Sequence, residues 1–561
     1  MWPQNYTPIG GNILLSALAA GIPLYVLFYL LAVRRLPGHV AAPASLLATL
    51  LTATLVFSMP AQLVASAALM GIAFALFPIM WIVLNAFYIY HLTLVSGRFS
   101  TVRASIASLS EDQRVQALLI AFAFGALMEG IAGFGTPVAL SAAMLVGVGF
   151  SPFSAVSLAL LANTAPVAFG NLGIPIISLA GVVQPFLGGT REQVTASLSA
   201  MVGRQVPLLS LLIPAFLVVV LAGWRRMMEA APAVLTAGIS FAGTQFLVAN
   251  FIGPILADVA AALVAILALL LLLRLWRPAT VWRLSTLEPT VGEANRATLA
   301  FRDIALGWGP FVVLVVVVVL GNVPAVAGLL DRATVNVPWP GLHNEVSRTP
   351  PLVGPLLTGT TGARVAAIYT FDWLRAAGTL ALFAGLLSLA VLGVDPVKGA
   401  RVYLRTAKGL LLPTLSVASV LSLAWVMNYS GMTVTLGLFF TFAGPLFPFF
   451  SAFIGWIGVF LTGSDTASNN LFGGLQVTTA SLLGWPGTLT AATNSSGGVC
   501  AKMISPQNLA IGAASVGLSG KEGDILQRTV LWSLLLVCLV GALAMAQAYV
   551  VPFIIPSASG G

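Results

Sequence analysis

Apolar segments long enough to cross a lipid bilayer recur along the whole chain, and they limit the folds that it can adopt. A spanning helix needs about 17–25 mostly apolar residues, and segments 12–33, 304–320 and 529–553 meet that requirement. Charged residues make up only 7% of the 561, whereas a soluble domain carries about 25%. We therefore predict an all-α polytopic membrane protein with about 11–14 transmembrane spans.

The positive charges predict how the chain is oriented. Lys and Arg number 25 against 16 Asp and Glu, a formal charge of +9, and such an excess in a membrane protein usually collects in the cytoplasmic loops. Arg34, Arg225, Arg274 and Lys408 end or precede apolar segments and are assigned to the cytoplasm. No basic patch interleaved with aromatic residues is present, so nucleic acid is not expected as a partner.

Two polar, glycine-rich stretches interrupt the apolar pattern, at 128–175 and 460–507. Unpaired polar groups cost several kcal/mol each in hydrocarbon, so neither stretch can be a lipid-facing helix. Irregular backbone at membrane depth is tolerated where it is buried in protein or lines a wet cavity. Each stretch is therefore predicted to be a re-entrant or broken-helix segment at a solute site.

The two stretches also resemble each other, which suggests an internal repeat. Each sets one acid, Glu129 or Asp465, among small residues, and twelve positions separate Asn163 from Pro175 and Asn494 from Pro506. Their entry from opposite sides of the membrane fits two inverted repeats, although 55 glycines could also produce the match by chance. The predicted division is an N-terminal half at 1–230, linking spans and a cytoplasmic loop at 231–330, and a C-terminal half at 331–561.

Several longer motifs carry a resemblance to one known family. The motifs are GxxxEGxAGFGxP at 125–137, NTAPVAFG at 163–170, MVGRQxP at 201–207, NFIGP at 250–254, FDW at 371–373, NYSG at 428–431, GVFLTGSDT at 458–466 and KMISPQ at 502–507. With these motifs the chain resembles the bacterial L-lactate permease family over nearly its whole length. Segment 321–367 matches poorly, and Asn494-Ser495-Ser496 stands where relatives are expected to have Asn-Thr-Thr.

The resemblance implies a secondary active transporter. Its implied activity is proton-coupled symport of L-lactate and related 2-hydroxymonocarboxylates, such as D-lactate and glycolate, across the bacterial inner membrane as a multi-pass protein. The implied partners are these acids, protons, the lipid bilayer and further copies of the chain in a homo-oligomer. No cofactor, no metal and no catalytic residue are expected.

Small polar residues that break helices are the first candidates for binding the substrate. Free amides and the dipole at a helix N-terminus attract a carboxylate, and Asn, Ser and Thr favour such ends. The alternative is plain capping or interhelical packing. The candidates are Asn163, Thr164, Asn494, Ser495 and Ser496.

Three longer side chains next to these stretches could also hold the substrate. Lys502 or Arg204 could bind its carboxylate, Arg through two parallel bonds and Lys as a point charge. Gln507 could donate to its hydroxyl group. The alternatives are a charge at the end of a span that sets orientation, favoured for Arg204, and a helix cap for Gln507.

Proton coupling is assigned to the intramembrane acids. Glu129 and Asp465 are the main candidates because ionisable groups at membrane depth are usually functional, and the alternative is a static ion pair. Asp372 is a weaker candidate, since Arg375 lies three residues away and could pair with it. A sodium-coupled carboxylate transporter and a passive anion channel remain alternative functions. An enzyme is not expected, because no nucleotide-binding or catalytic motif occurs.

Overall fold

Long apolar helices dominate the computed structural model, which describes residues 1–34, 36–133, 135–278, 280–283, 300–349 and 364–556. Parts of the predicted cytoplasmic loop (284–299) and outer segment (350–363) lie outside the described residues. In that part of the chain, 11 helices are long and apolar enough to cross a membrane, and 12 if one bent pair counts as a span. The prediction of a polytopic all-α membrane protein is thereby confirmed.

The first helices lead up to a polar loop near residue 110. The chain leaves helical geometry at Phe77 (φ −137°, ψ 122°), directly before Pro78, because the residue before a proline is disfavoured in the helical region. The long apolar segment Ala61–Val95 is thus interrupted directly before Pro78. The helices are α1 (Ile13–Ala20), α2 (Ile22–Phe28), α3 (Gly38–Leu55), α4 (Ala61–Phe74), α5 (Trp81–Val95) and α6 (Arg98–Ala107).

The first broken region lies in the next group of helices, where short pieces alternate with turns. A π-helical segment, Ala117–Phe124, joins the first two pieces, and a 3₁₀ turn, Val167–Phe169, precedes α11. The helices are α7 (Gln113–Gln116), α8 (Gly125–Ala132), α9 (Thr136–Gly147), α10 (Pro152–Ala162), α11 (Gly170–Leu187), α12 (Arg191–Val202), α13 (Val206–Ala222), α14 (Trp224–Glu229), α15 (Ala231–Phe251) and α16 (Ala257–Leu275).

The second broken region has a similar succession of short helices. A 3₁₀ segment, Val499–Ile504, separates two of them and carries Lys502. The helices are α17 (Phe301–Asn322), α18 (Pro324–Asp331), α19 (Ala377–Leu392), α20 (Pro396–Gly409), α21 (Leu411–Ser430), α22 (Met432–Phe440), α23 (Phe447–Thr462), α24 (Asp465–Leu483), α25 (Gly487–Gly498), α26 (Pro506–Ser515) and α27 (Glu522–Tyr549).

Short strands fold the predicted outer segment onto the N-terminus. Strand β1 (Trp2–Pro3) pairs in parallel with β3 (Val346–Ser347), and β2 (Val335–Pro338) pairs antiparallel with β4 (Ile368–Phe371). The buried Gln4 side chain donates to the carbonyl oxygens of Asn428 and Tyr429 at the end of α21. These contacts form a roof over the outer ends of the helices, which the sequence does not predict.

The two broken regions pack against each other in the middle of the molecule. Helix α11 lies along α24, α9 and α10 contact α26, and α8 packs on α16. Close approach depends on glycine: a Cβ added at Gly473 in α24 would lie 2.5 Å from Leu179 Cδ1 in α11. Segments more than 300 residues apart in the sequence are thereby brought into one core.

A buried arginine anchors the start of the first broken region. Arg114 is fully buried; its Nη2 lies 2.7 Å from Asp112 Oδ2 and its Nη1 lies 2.8 Å from Glu229 Oε2. Its guanidinium also donates to the carbonyl oxygens of Arg226 and Thr280. One side chain therefore joins the start of α7 to α14 and to the segment after α16.

Replacing Arg114 with alanine is expected to destabilise the protein by about 3–5 kcal/mol, because a buried carboxylate and two carbonyl groups lose their partner. The measurement is thermal unfolding of the purified protein in detergent. Arg103→Ala provides the matched control, since that arginine is exposed on the neighbouring α6. Equal melting temperatures for the two variants would contradict the anchoring role.

Candidate functional site

A cavity of about 1210 Å³ reaches from the broken helices to one side of the molecule. Its buried end is lined by both broken regions, and its wider end by His39, Pro413 and Glu522, which are all partly exposed. These three residues lie close in sequence to Arg34, Lys408 and Lys521, so the cavity opens on the side that the basic residues assign to the cytoplasm.

Irregular backbone in the first region shapes one wall of the cavity. Helix α8 ends at Gly133 (φ 42°), and α11 contains three successive left-handed residues, Asn171, Leu172 and Gly173 (φ 52°, 57° and 76°). A Cβ on Gly170 would lie 2.8 Å from Glu129 Oε1. Glycine at that position therefore lets the main chain approach the Glu129 carboxylate.

Two helix N-termini in the second region form the opposite wall. The chain turns at Gly463 (φ 70°), and the Ser464 hydroxyl caps α24 by accepting from Ala467 N. The Ser505 hydroxyl caps α26 by accepting from Asn508 N. Residues 463–467 and 506–510 line the cavity. Helix N-termini favour negative charge, so this wall suits an anion.

A buried ion pair crosses the two regions at the cavity. Lys502 Nζ lies 2.7 Å from Glu129 Oε1, the side chains are 7% and 3% exposed, and the residues are 373 positions apart. Both residues line the cavity. The second carboxylate oxygen of Glu129 is buried and has no hydrogen-bond partner among the described residues. The pair thus places one cation and one acid where a solute can reach them.

A network of hydrogen bonds from side-chain amides and one hydroxyl group holds the Asp465 carboxylate in place. Ser495 Oγ and Asn469 Nδ2 both donate to Asp465 Oδ2, at 2.5 and 3.2 Å. Asn494 Nδ2 donates to Asn469 Oδ1 at 2.9 Å, and Gln476 Nε2 donates to Asn494 Oδ1 at 3.1 Å. This network orients Asp465 and is buried throughout.

The structure brings some of the predicted site residues together on the cavity wall. Glu129, Asp465, Lys502 and Gln507 line the cavity. Ser495 and Asn494 lie instead between α24 and α25, where Ser495 donates to Asp465 and Asn494 donates to Asn469.

Three further candidates are buried outside the cavity wall. Asn163, Thr164 and Ser496 are at most 4% exposed, and their side-chain polar atoms have no hydrogen-bond partner within the described ranges. Asn163 and Thr164 lie in the turn between α10 and α11. The carbonyl oxygen of the next residue, Ala165, accepts from Gln245 on α15.

Arg204 and Asp372 also lie away from the cavity wall. Arg204 donates to Asn250 Oδ1 at 2.9 Å and to the carbonyl oxygen of Ile554. Asp372 lies 3.9 Å from Arg191. The suggested pairing of Asp372 with Arg375 is wrong, because Arg375 bonds Asp331 at 2.6 Å across the loop.

The sequence reasoning missed three asparagines on the wall and one buried acid. Asn171, Asn470 and Asn508 line the cavity. Asp258 is fully buried on α16 and accepts a hydrogen bond from Gln245 Nε2 at 3.0 Å. It lies near Glu129, because a Cβ added at the adjacent Gly130 would be 3.1 Å from the Asp258 Cβ. The sequence signal that could have identified Asn171 is the turn sequence Asn-Leu-Gly after Gly170. For Asp258 it is a single acid at the start of an apolar segment.

Replacing Ser495 with alanine is expected to lower transport about tenfold, because a hydrogen bond to a charged group contributes about 1.5–3 kcal/mol. The adjacent Ser496→Ala variant is the matched control, since that hydroxyl has no partner in the described part of the chain. Initial uptake rates in proteoliposomes compare the two. A larger loss in Ser496→Ala would instead favour direct binding by Ser496.

Comparison with known proteins identifies the family of the chain. A model of the L-lactate permease family matches residues 16–551. The L-lactate permease of Bacillus subtilis (strain 168) is 42% identical and the alignment covers 99% of this chain and 100% of that protein. Glycolate permease GlcA of Escherichia coli (strain K12) is 43% identical over 98% of both chains. A solved structure of Neisseria gonorrhoeae MtrF aligns with 13% identity and a TM-score of 0.45, covering 84% of this chain and 81% of MtrF. The match of the family model over nearly the whole length, together with the 42% and 43% identities to the two permeases, shows that the chain belongs to the L-lactate permease family.

Proposed function

We propose that this protein is a proton-coupled symporter of lactate, glycolate and related 2-hydroxymonocarboxylates. The observation that carries the proposal is the buried Lys502–Glu129 pair on the cavity wall. Relatives named as lactate and glycolate permeases support the substrate class. We assign the protein to the bacterial inner membrane, with a possible homo-oligomeric assembly.

In the proposed cycle the substrate carboxylate replaces Glu129 as the partner of Lys502. Glu129 would then be left ionised and unpaired in a buried position, which costs several kcal/mol. Protonation of Glu129 removes that cost. Binding of the anion and binding of the proton therefore favour each other, and each alone is disfavoured.

Counting charges on the buried wall supports one proton per substrate. Lys502 is its cation, and Glu129 and Asp465 are its acids. With Asp465 ionised throughout, the wall carries one net negative charge both when it is empty and when it holds a monocarboxylate beside a protonated Glu129. Because additional net charge in a low-dielectric interior is costly, one proton enters with each substrate.

The conformation of the structure is the one expected for the cytoplasm-facing state of such a cycle. The cavity opens towards the basic, cytoplasmic side, whereas the roof formed by β1, β3 and the Gln4 contacts lies over the other ends of the helices. A substrate bound at Lys502 would leave towards the cytoplasm. The outward-facing state would require the roof and the broken regions to separate.

Uptake by purified protein in proteoliposomes tests the proposal. With an alkaline interior and no sodium, labelled lactate is expected to accumulate above its external concentration, and a protonophore should abolish the accumulation. A strict sodium requirement would instead support a sodium-coupled carrier, and flux that never exceeds equilibration would support a passive anion channel.

A further inference from the structure

Asn171 occupies an unusual backbone conformation beside the ion pair. It begins the left-handed run in α11, with φ 52° and ψ 52°. Among residues with a side chain, asparagine adopts this region most readily, because its short polar side chain can bond locally. The residue following Gly170 is thereby turned out of the helical path and towards the cavity.

The Asn171 side chain carries, beside the cavity, an acceptor that no described residue uses. The residue is 6% exposed and lines the cavity, and its Oδ1 is buried without a hydrogen-bond partner in the described part of the chain. Asn470 on the same wall differs, because its Oδ1 accepts from Ser178 Oγ at 2.6 Å. A buried acceptor without a donor is costly, so a ligand that donates to Asn171 would gain affinity.

The position of this acceptor relative to Lys502 indicates which part of the ligand it would meet. The adjacent Gly170 touches the Glu129 carboxylate, the group that pairs with Lys502. On the proposed function, the substrate carboxylate takes the place of Glu129 at Lys502. The atom next along the substrate is carbon 2, and the group that distinguishes lactate and glycolate from other small acids is the hydroxyl on that carbon.

We propose that Asn171 is the specificity-determining residue for the 2-hydroxyl group, whose proton it accepts through Oδ1. An acid without that hydroxyl, such as propionate, leaves the acceptor unsatisfied. A 2-keto acid, such as pyruvate, presents a second acceptor to it. The site therefore prefers 2-hydroxy acids over both analogues by about 10- to 100-fold. This inference rests on the proposed function for the position of the carboxylate.

The substitution Asn171→Gly tests the inference without straining the backbone, because glycine adopts positive φ readily. Inhibition of labelled-lactate counterflow by unlabelled lactate, propionate and pyruvate gives three apparent affinities. In the unmodified protein, lactate should inhibit about 10- to 100-fold more strongly than the others. In Asn171→Gly the three affinities should converge, chiefly through weaker binding of lactate. Asn171→Ala should show the same convergence with a lower yield of folded protein.

Asn470→Ala is the matched control, since its amide oxygen already has a donor. It should leave the ratio of the three affinities unchanged, whatever its effect on the rate. Retained preference for lactate in Asn171→Gly, or no preference in the unmodified protein, overturns the inference. If Asn171→Gly does not catalyse counterflow, the same three acids are compared by their shifts of the melting temperature of the purified variant. Failure of the unmodified protein to exchange lactate at all would instead overturn the proposed function.

Discussion

Replacing Lys502 with alanine is expected to reduce lactate uptake to the level of liposomes without protein. The substitution removes the cation that the substrate carboxylate needs, and it also leaves Glu129 buried without its partner at 2.7 Å. Loss of one member of a buried pair costs about 3–5 kcal/mol, enough to suppress binding by more than two orders of magnitude. Initial rates of labelled-lactate uptake measure the effect.

Two further variants separate the loss of binding from the loss of folding. Lys408→Ala removes an exposed lysine on α20 and should transport normally. The double substitution Glu129→Gln with Lys502→Met removes both charges, so it should recover the melting temperature lost in Lys502→Ala without recovering transport. Substantial uptake by the double variant would contradict the assignment of Lys502 to the substrate.

Replacing Glu129 with glutamine is expected to abolish accumulation driven by a pH gradient while exchange of internal for external lactate continues. Glutamine resembles the protonated acid, so Lys502 stays available to the substrate, but no proton is taken up or released there. Exchange should also become insensitive to pH. The measurement compares net uptake and counterflow in the same proteoliposomes between pH 6 and 8.

Asp465→Asn is the matched variant for the second acid on the wall. Since Ser495 and Asn469 both donate to Asp465 Oδ2, the amide should disturb this network and lower both net uptake and exchange. If Asp465→Asn retains exchange and loses accumulation, while Glu129→Gln accumulates normally, the coupling proton binds at Asp465. Normal accumulation by both variants would refute the role of either acid.

The sequence predicts the class of fold and the two polar stretches better than the contacts between them. Apolar segments and the two polar stretches are local signals, so composition alone indicates spanning helices and broken regions. The Glu129–Lys502 pair joins residues 373 positions apart, and no local pattern specifies such a partner. The suggested partner for Asp372 was wrong for the same reason, since Arg375 reaches across the loop to Asp331.

Residue type also proved an incomplete guide to role. Asn494 and Ser495 were predicted as ligands because amides and hydroxyls can hold a carboxylate, and in the structure both serve the neighbouring Asn469–Asp465 network. Asn171 carries the same chemistry but faces the cavity. Whether an asparagine is hydrogen-bonded within the protein or remains available to a ligand depends on the packing of α11, α24 and α25. That packing follows only from the assembled fold.

The separation of Glu129 from Lys502 along the chain also has a consequence for biosynthesis. A ribosome adds the acid long before the base that neutralises it, so most of the polypeptide is threaded into the bilayer while Glu129 lacks its counter-ion. Until the segment that carries Lys502 has been inserted, the Glu129 carboxyl group must stay neutral or in contact with water. The candidate site is therefore among the final parts of the molecule to mature, and a chain truncated before residue 502 leaves Glu129 without its partner.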